Sequence, residues 1–373
     1  MSQYYIDSRH YEEEIELLLQ HLKVRHILLV CGKSFHRLHI GNFIEKLQQD
    51  RKVMITYFED FSPNPKYEDI LQGVKLFCTS GCDFIMAVGG GSAIDVAKCI
   101  KLFARLNKDE DYLKQEITVN DITLAAIPTT AGTGSEATQF AVLYVSGNKY
   151  VVEHVSALPQ YVLLYPDNLT TLSDYQKRVT LCDALAHAVE SYWSLNSSKE
   201  SRRLSETVIH LILDHMERYL ENDKSTFKQM MLASNLAGQA INMTKTTAAH
   251  AMSYKLTTLL GISHGHAVML CLPEVWEYME ENFDACIDKR GQKYLRKNLN
   301  LLANCLKQDT PKNAILFLKK LRSRLGLGLI EKVDEKQFAL IVDSVNMERL
   351  RNFPIAMTKE DLSMLYRKIL MGD

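Results

Sequence analysis

Near Pro166 the chain changes its period. Before that point, short apolar runs alternate with stretches whose apolar residues recur at helical spacing; beyond it only the helical spacing continues. HILLVC (26–31), VMITYFED (53–60), FIMAVGGGSA (84–93), ITLAAIPTT (122–130) and YVLLYP (161–166) read as strands, and residues 38–49 and 66–80 read as helices among them. Strands that alternate with helices build a mostly parallel sheet, because a parallel connection needs a crossover long enough to hold a helix. Past 167 the spacing predicts helices over 173–195, 199–221, 225–243, 247–260, 271–283, 291–306, 311–325, 335–345 and 359–370. The expected architecture is therefore an α/β domain over residues 1–166, Rossmann-like, with a mostly parallel sheet, followed by an all-α domain over 167–373. A chain of 373 residues is long enough to need two cores.

Composition removes several classes of function. A formal net charge of −1 gives no reason to expect nucleic acid or an anionic membrane as partner. There is no apolar run of spanning length, and the polar, acidic start MSQYYIDSRHYEEEIE is unlike a secretory signal. The eight cysteines include no C-x-x-C pair, so reduced thiols in a cytoplasmic protein are the expectation.

Three strand ends carry loops suited to a nucleotide. AVGGGSAIDVAK (87–98) runs from a strand through Gly89, Gly90 and Gly91 into a helix starting near Ser92 and carrying Asp95. Bare backbone lets an anion approach, and a helix start offers N–H groups and a positive dipole end. The same pattern also makes a plain tight turn. IPTTAGTGSE (127–136) adds Thr129, Thr130, Thr133 and Ser135 after a second strand, where ribose and phosphate oxygens find hydroxyl partners. Two such loops at strand ends point to a dinucleotide, because ligands of open α/β sheets bind beyond the carboxyl ends of the strands. The third loop reads Cys31-Gly32-Lys33-Ser34, with no acid to hold a ribose 2′-hydroxyl. Room at Gly32, charge at Lys33 and a donor at Ser34 favour a 2′-phosphate, hence NADP(H) over NAD(H).

The helical half holds the candidate metal ligands. In DALAHAVE (183–190), Asp183 and His187 are four residues apart and share one helix face. His250, His264 and His266 follow in HAMSYKLTTLLGISHGH. One aspartate and two or three histidines from helices of one domain are suitable donors for a divalent metal. MTKTT (243–247) is a poor helix interior, since β-branched threonines compete for backbone hydrogen bonds. A helix break there would set Lys245, Thr246 and Thr247 beside a helix start near His250, as a site for an anion. Arg349 and Asn346 are further candidates for that task.

GGGSAIDVAK, IPTTAGTGSE, DALAHAVE and the H-x13-H-G spacing, taken in order, resemble the iron-containing (group III) alcohol dehydrogenase family over nearly the whole chain. NMTKTTAAHAMSYKLT, ISHGHAV, FSPNPKYEDI and ESYWSLNSS are similar to its phosphonoacetaldehyde reductase subgroup. The resemblance implies a cleft active site between the domains and one divalent metal, iron(II) or zinc, on Asp183, His187, His250 and His264. It implies a homodimer, a coenzyme contact from Lys149, and reduction of a small anionic aldehyde with NADPH. Many members carry a second histidine where this chain has Tyr254, which leaves Tyr254 and His266 as the candidates for moving a proton. Three other readings stay open: the same chemistry on a neutral aldehyde or diol, a dehydroquinate-synthase-like cyclase, and a binding protein without catalysis.

Overall fold

The computed structural model describes residues 3–329 and 333–371. It divides into two compact units, one running up to Ser173 and including Arg218–Gly238, the other Asp174–Glu217 and the chain from Gln239 onward.

The first unit is built on a sheet of strands β1 (Tyr4–Tyr5), β2 (His26–Cys31), β3 (Met54–Phe58), β4 (Phe84–Gly89), β5 (Thr123–Pro128) and β8 (Tyr161–Val162). Their order is β1-β8-β5-β4-β2-β3, and all neighbours are parallel. Helices α1 (Tyr11–His21), α2 (His39–Gln49), α3 (Tyr67–Ser80) and α4 (Gly91–Phe103) connect and cover it. The apolar runs are continuous because both faces are buried. Leu28 and Val30 join one hydrophobic cluster, while Ile27, Leu29 and Cys31 join the other. Beside the sheet lies a hairpin, β6 (Phe140–Val145) with β7 (Asn148–Glu153), which the pattern reading above does not contain. Its two-residue turn has positive φ at both Ser146 and Gly147, the twist that suits a tight antiparallel connection.

The second unit is helical: α5 (Asp174–Trp193), α6 (Lys199–Leu220), α7 (Phe227–Thr244), α8 (Ala248–Leu260), α9 (His264–Glu281), α10 (Gln292–Cys305), α11 (Pro311–Arg324), α12 (Glu335–Asp343) and α13 (Lys359–Met371), with parts of α6 and α7 counted in the first. Most ends fall within two residues of the periodicity. Helix α9 is the exception, expected from 271 but starting at His264. Gly265 and Pro273 both lie inside the helix. A Cβ on Gly265 would stand 2.0 Å from the Val179 carbonyl oxygen, so the glycine is there for close packing of α9 on α5, not for a turn. No described helix is long and apolar enough to cross a membrane.

The division between units also differs from the expected cut after 166. Pro166–Thr171 forms a short 3-10 helix, and Asn168 from it donates to the Pro128 carbonyl at 3.1 Å, fastening this segment to β5. Asn235 donates to Glu136 at 3.0 Å, and Gly238 meets Gly134 backbone to backbone, which brings 218–238 into the first unit. The gap at Gly134 admits no Cβ, which would lie 2.6 Å from the Gly238 Cα.

Candidate functional site

Within the second unit, helix α5 presents Asp183, His187 and Glu190 at spacings of four and three, all on one buried face. Helix α8 adds His250, two residues after its start, and α9 adds His264 as its first residue. One oxygen of Asp183 gathers the three imidazoles. Its Oδ1 lies 3.5 Å from His250 Nε2, 3.8 Å from His264 Nε2 and 3.9 Å from His187 Nε2. With bonds of about 2.1 Å, two donors of a tetrahedral metal site sit roughly 3.4 Å apart, so this spacing is that of ligands around one ion. Asp183, His187 and His250 are buried and bring one donor atom each within 4.8 Å of one another.

The polar atoms fit that reading. Asp183 Oδ1 and His250 Nε2 are buried without a hydrogen-bond partner, an arrangement costly on its own and relieved by a cation between them. Burial opposes charge on Asp183, but His187, His250 and His264 outweigh it and hold the carboxyl well below the usual carboxylate range. Burial likewise opposes charge on His250, yet Glu190 and Asp183 push its imidazole upward. The pocket is built to hold positive charge.

Glu190 gives this cluster its orientation, and sequence reading assigned it no role. One of its oxygens takes His250 Nδ1 in a short hydrogen bond, which points Nε2 toward Asp183. The other accepts from Thr247 Oγ1 at 2.6 Å and from the Ala249 N–H at 2.8 Å. A carboxylate on the far nitrogen of a ligating histidine fixes its tautomer and its angle. The signal was its spacing: residue 190 is seven after Asp183, two turns along the same face.

This finding corrects the expected anion site. The break is present: α7 stops at Thr244, Lys245 has φ +61° and α8 begins at Ala248. The Thr247 hydroxyl, however, donates to Glu190 and accepts from Trp193 Nε1 at 2.9 Å, and the residue is 1% exposed. An N–H of the helix start is also committed to Glu190. Thr247 is spent on holding the metal ligands, while Lys245 and Thr246 remain partly exposed. His266 is corrected too. Its Nδ1 pairs with the Tyr175 hydroxyl at 3.1 Å and its Nε2 with the Gly328 carbonyl at 3.0 Å. Both nitrogens are used and burial lowers its pKa, which places it in the packing of α9 against Tyr175 and Gly328. Tyr254 lies where a site residue should: its ring stacks on His264, centroids 5.8 Å apart.

In the first unit, the three loops meet at the carboxyl ends of β2, β4 and β5. The Thr129 N–H donates to Gly89 O at 3.0 Å, and the Gly32 N–H to Val88 O at 3.4 Å. A Cβ on Gly91 would stand 2.8 Å from Thr133 Cγ2, and one on Gly90 3.1 Å from Thr130 Cγ2. Bare backbone at 90 and 91 therefore lets the threonine loop close on the start of α4, which carries no side-chain cap. N–H groups of an uncapped helix start beside hydroxyls fit a pyrophosphate. Ser92 Oγ accepts from the Asn64 N–H at 3.4 Å.

Two expected contacts serve the loops instead. Ser135 Oγ donates to Asp95 at 2.5 Å, and the other Asp95 oxygen takes the Val142 N–H at 3.1 Å. Buried Lys98, absent from the sequence reading, donates to Ser135 Oγ, Thr138 Oγ1 and the Phe140 carbonyl at 2.8–3.0 Å. Asp95 and Ser135 thus hold the threonine loop to α4. Lys149, on β7, is near enough to act on the Asp95 carboxylate electrostatically. Around Gly32, open space would surround a Cβ; Lys33 is exposed and Ser34 partly so. An acid does stand at this corner, one strand over: Glu59 accepts from Cys31 Sγ at 3.4 Å and from His36 Nε2 at 3.1 Å.

Comparison with known proteins decides what these two sites belong to. Residues 3–166 match the model described as iron-containing alcohol dehydrogenase, and residues 178–370 match that of the Fe-containing alcohol dehydrogenase family C-terminal region. The chain belongs to the iron-containing alcohol dehydrogenase family. Its relatives include a phosphonoacetaldehyde reductase of Streptomyces viridochromogenes, 29% identical over 76% of this chain and 75% of that one. Another is an NADPH-dependent butanol dehydrogenase of Clostridium saccharobutylicum, 26% identical over 95% and 94%. The crystal structure of an iron-containing alcohol dehydrogenase from Thermotoga maritima superposes with a TM-score of 0.86, at 28% identity, covering 100% of this chain and 98% of that one. As in that family, the chain is an oxidoreductase acting on alcohol or aldehyde groups.

Proposed function

We propose that this alcohol dehydrogenase reduces a small anionic aldehyde, phosphonoacetaldehyde to 2-hydroxyethylphosphonate, using NADPH and one iron(II) or zinc ion. The observation that carries the chemistry is the cluster of three imidazole nitrogens within 3.9 Å of one Asp183 oxygen. Asp183, His187, His250 and His264 would hold the metal, and the loops at Gly89–Gly91 and Thr129–Thr133 would hold the coenzyme phosphates. When bound, the metal supplies Lewis-acid polarisation of a carbonyl and the nicotinamide supplies hydride. The protein's own part is to bind and orient each of these groups. Tyr254 offers a hydroxyl beside His264 for the proton that completes the alcohol. Open space at Gly32 and the exposed charge of Lys33 support NADPH, against the Glu59 carboxylate at the same corner, which Cys31 and His36 already engage. Preference for an anionic substrate is supported by the name of the Streptomyces relative.

The wider coverage by the butanol dehydrogenase favours a second reading, a neutral aldehyde as substrate. Loss of NADPH absorbance, followed with phosphonoacetaldehyde and with propionaldehyde on enzyme stripped of metal and reloaded with iron(II) or zinc, separates the two. A preference for phosphonoacetaldehyde of tenfold or more in kcat/KM, dependent on metal, is the expected result. Equal rates on both aldehydes would leave the neutral reading in its place.

A further inference from the structure

One cation of the helical unit stands beside the candidate metal ligands and, among the described residues, has no carboxylate partner. Arg349 lies on the short 3-10 helix Met347–Asn352. Its guanidinium carbon sits 5.3 Å from the centre of the Tyr254 ring, and Nη1 is 3.5 Å from the Tyr254 hydroxyl. That ring lies on His264 with only 18° between the planes. A single tyrosine ring thus separates a permanent positive charge from a ligand of the metal.

Several other arginines of this unit have a carboxylate partner, while Arg202 and Arg296, like Arg349, lie over aromatic rings. Arg290 pairs with Asp288 at 2.8 Å, Arg322 with Glu274 at 3.3 Å, and Arg351, on the same short helix, with Glu348 at 3.7 Å. Among the described residues no carboxylate pairs with Arg349. A guanidinium near a site for a divalent cation is repelled by it, and an anion bound between them would offset that repulsion.

The position is also fixed. Asn352, one turn on, donates through Nδ2 to the Thr244 carbonyl at 2.6 Å and the Thr246 carbonyl at 3.2 Å. Its Oδ1 accepts from Ser194 Oγ at 2.9 Å, and its carbonyl accepts from the Leu195 N–H at 3.1 Å. The short helix is pinned to the end of α5 and to the turn that precedes the His250 helix. The Tyr254 ring then limits where the guanidinium can go.

We propose that Arg349 is the receptor for the anionic group of the substrate, taking a phosphonate or sulfonate while the carbonyl end faces the metal ligands. A two-carbon aldehyde is short, so its anion must be met close to the carbonyl, and Arg349 lies one tyrosine ring away from the candidate ligand His264. The planar fork of arginine suits two oxygens of such a group at once. This assignment rests on the anionic-aldehyde reading above and names the residue responsible for it.

The test uses metal-loaded enzyme with NADPH, in wild-type form and as Arg349→Gln and Arg349→Lys. Two readouts are needed. One is the ratio of kcat/KM for phosphonoacetaldehyde over propionaldehyde. The other is the binding of ethylphosphonate, which does not react, by calorimetry. Charge-assisted hydrogen bonds of this kind are worth about tenfold to a hundredfold in binding. Arg349→Gln should lower both the ratio and the ethylphosphonate affinity by that factor, acting chiefly on KM, and Arg349→Lys should restore part of both. If wild type prefers the phosphonate and Arg349→Gln leaves ratio and affinity unchanged, the assignment of Arg349 is overturned and the substrate reading stands. If wild type shows no preference but loses ethylphosphonate binding on Arg349→Gln, the receptor stands and the substrate reading falls. Absence of both preference and binding in wild type removes both.

Discussion

The candidate metal cluster and the candidate coenzyme loops solve opposite problems. The cluster brings one carboxylate and three imidazoles together on three helices, with polar atoms left unsatisfied. The loops are made by leaving side chains out, so that backbone and threonine meet where a single Cβ would collide. One site is an excess of charge, the other a shape. The first should fail when a charge is changed at constant size, and the second when size is changed at constant charge.

The largest effect should come from Asp183→Asn, which keeps the volume and removes the charge shared by three imidazoles. Metal affinity should fall by at least about a hundredfold, more than for Glu190→Gln, whose loss should be about tenfold to a hundredfold, as for other residues that orient a ligating histidine. Metal content after dialysis against graded chelator reads both; a Glu190→Gln loss equal to that of Asp183→Asn would make Glu190 a ligand. Gly91→Ala is the complementary change in the loops. It adds one methyl group facing Thr133, and should weaken NADPH binding by about tenfold, as lost packing and backbone shift of 1–3 kcal/mol would give. Metal content should stay as in wild type. Coenzyme fluorescence titration checks this, and unchanged affinity would break the idea that the loop is a fitted shape.

The smallest expected effect is at His36, which bridges Glu45 and Glu59 beside Gly32. Its hydrogen bond to Glu45, then that to Glu59, raise its pKa against a modest opposing effect of burial. A raised pKa in the folded state means the stabilisation is full below about 6.5, the usual unfolded value, and fades as pH rises through the folded value. His36→Gln should therefore lower Tm more at pH 6 than at pH 9. The group is half exposed, so the difference should stay below about 1 kcal/mol. An equal Tm loss at both pH values would show that packing, not charge, is what His36 contributes.

What the sequence made legible follows the same division. Runs such as residues 26–31 and 84–89 are apolar throughout because both sheet faces are covered, and such runs announce themselves. So do ligands on one helix, since a spacing of four is a local property. The hairpin at 140–153 lacks a strong alternation and was not legible. The first two turns of α9 were not read as helix, and they hold Gly265, where a glycine demanded by a neighbouring helix looks the same in sequence as one demanded by a turn. Thr247 and His266 were polar residues near a site, and only their partners reveal that Glu190, Trp193, Tyr175 and Gly328 already occupy them. An acid beside Gly32 was missed because Glu59 arrives from the next strand. Partnership across the chain is what a linear reading lacks.

Glu190 carries a consequence for how this protein can change. A helix cap is ordinarily an interchangeable part, swapped among serine, threonine, aspartate and asparagine at modest cost. Here the carboxylate that receives the Ala249 N–H with one oxygen steers the His250 ring with the other. The two duties share one rigid group, so they have no independent adjustment. A shorter or neutral replacement that still capped α8 would turn the imidazole, and one that kept the imidazole aligned would release the helix start. Change at this corner of the site is thereby displaced to side chains that do not hold a ligand and a helix start at once, such as Arg349.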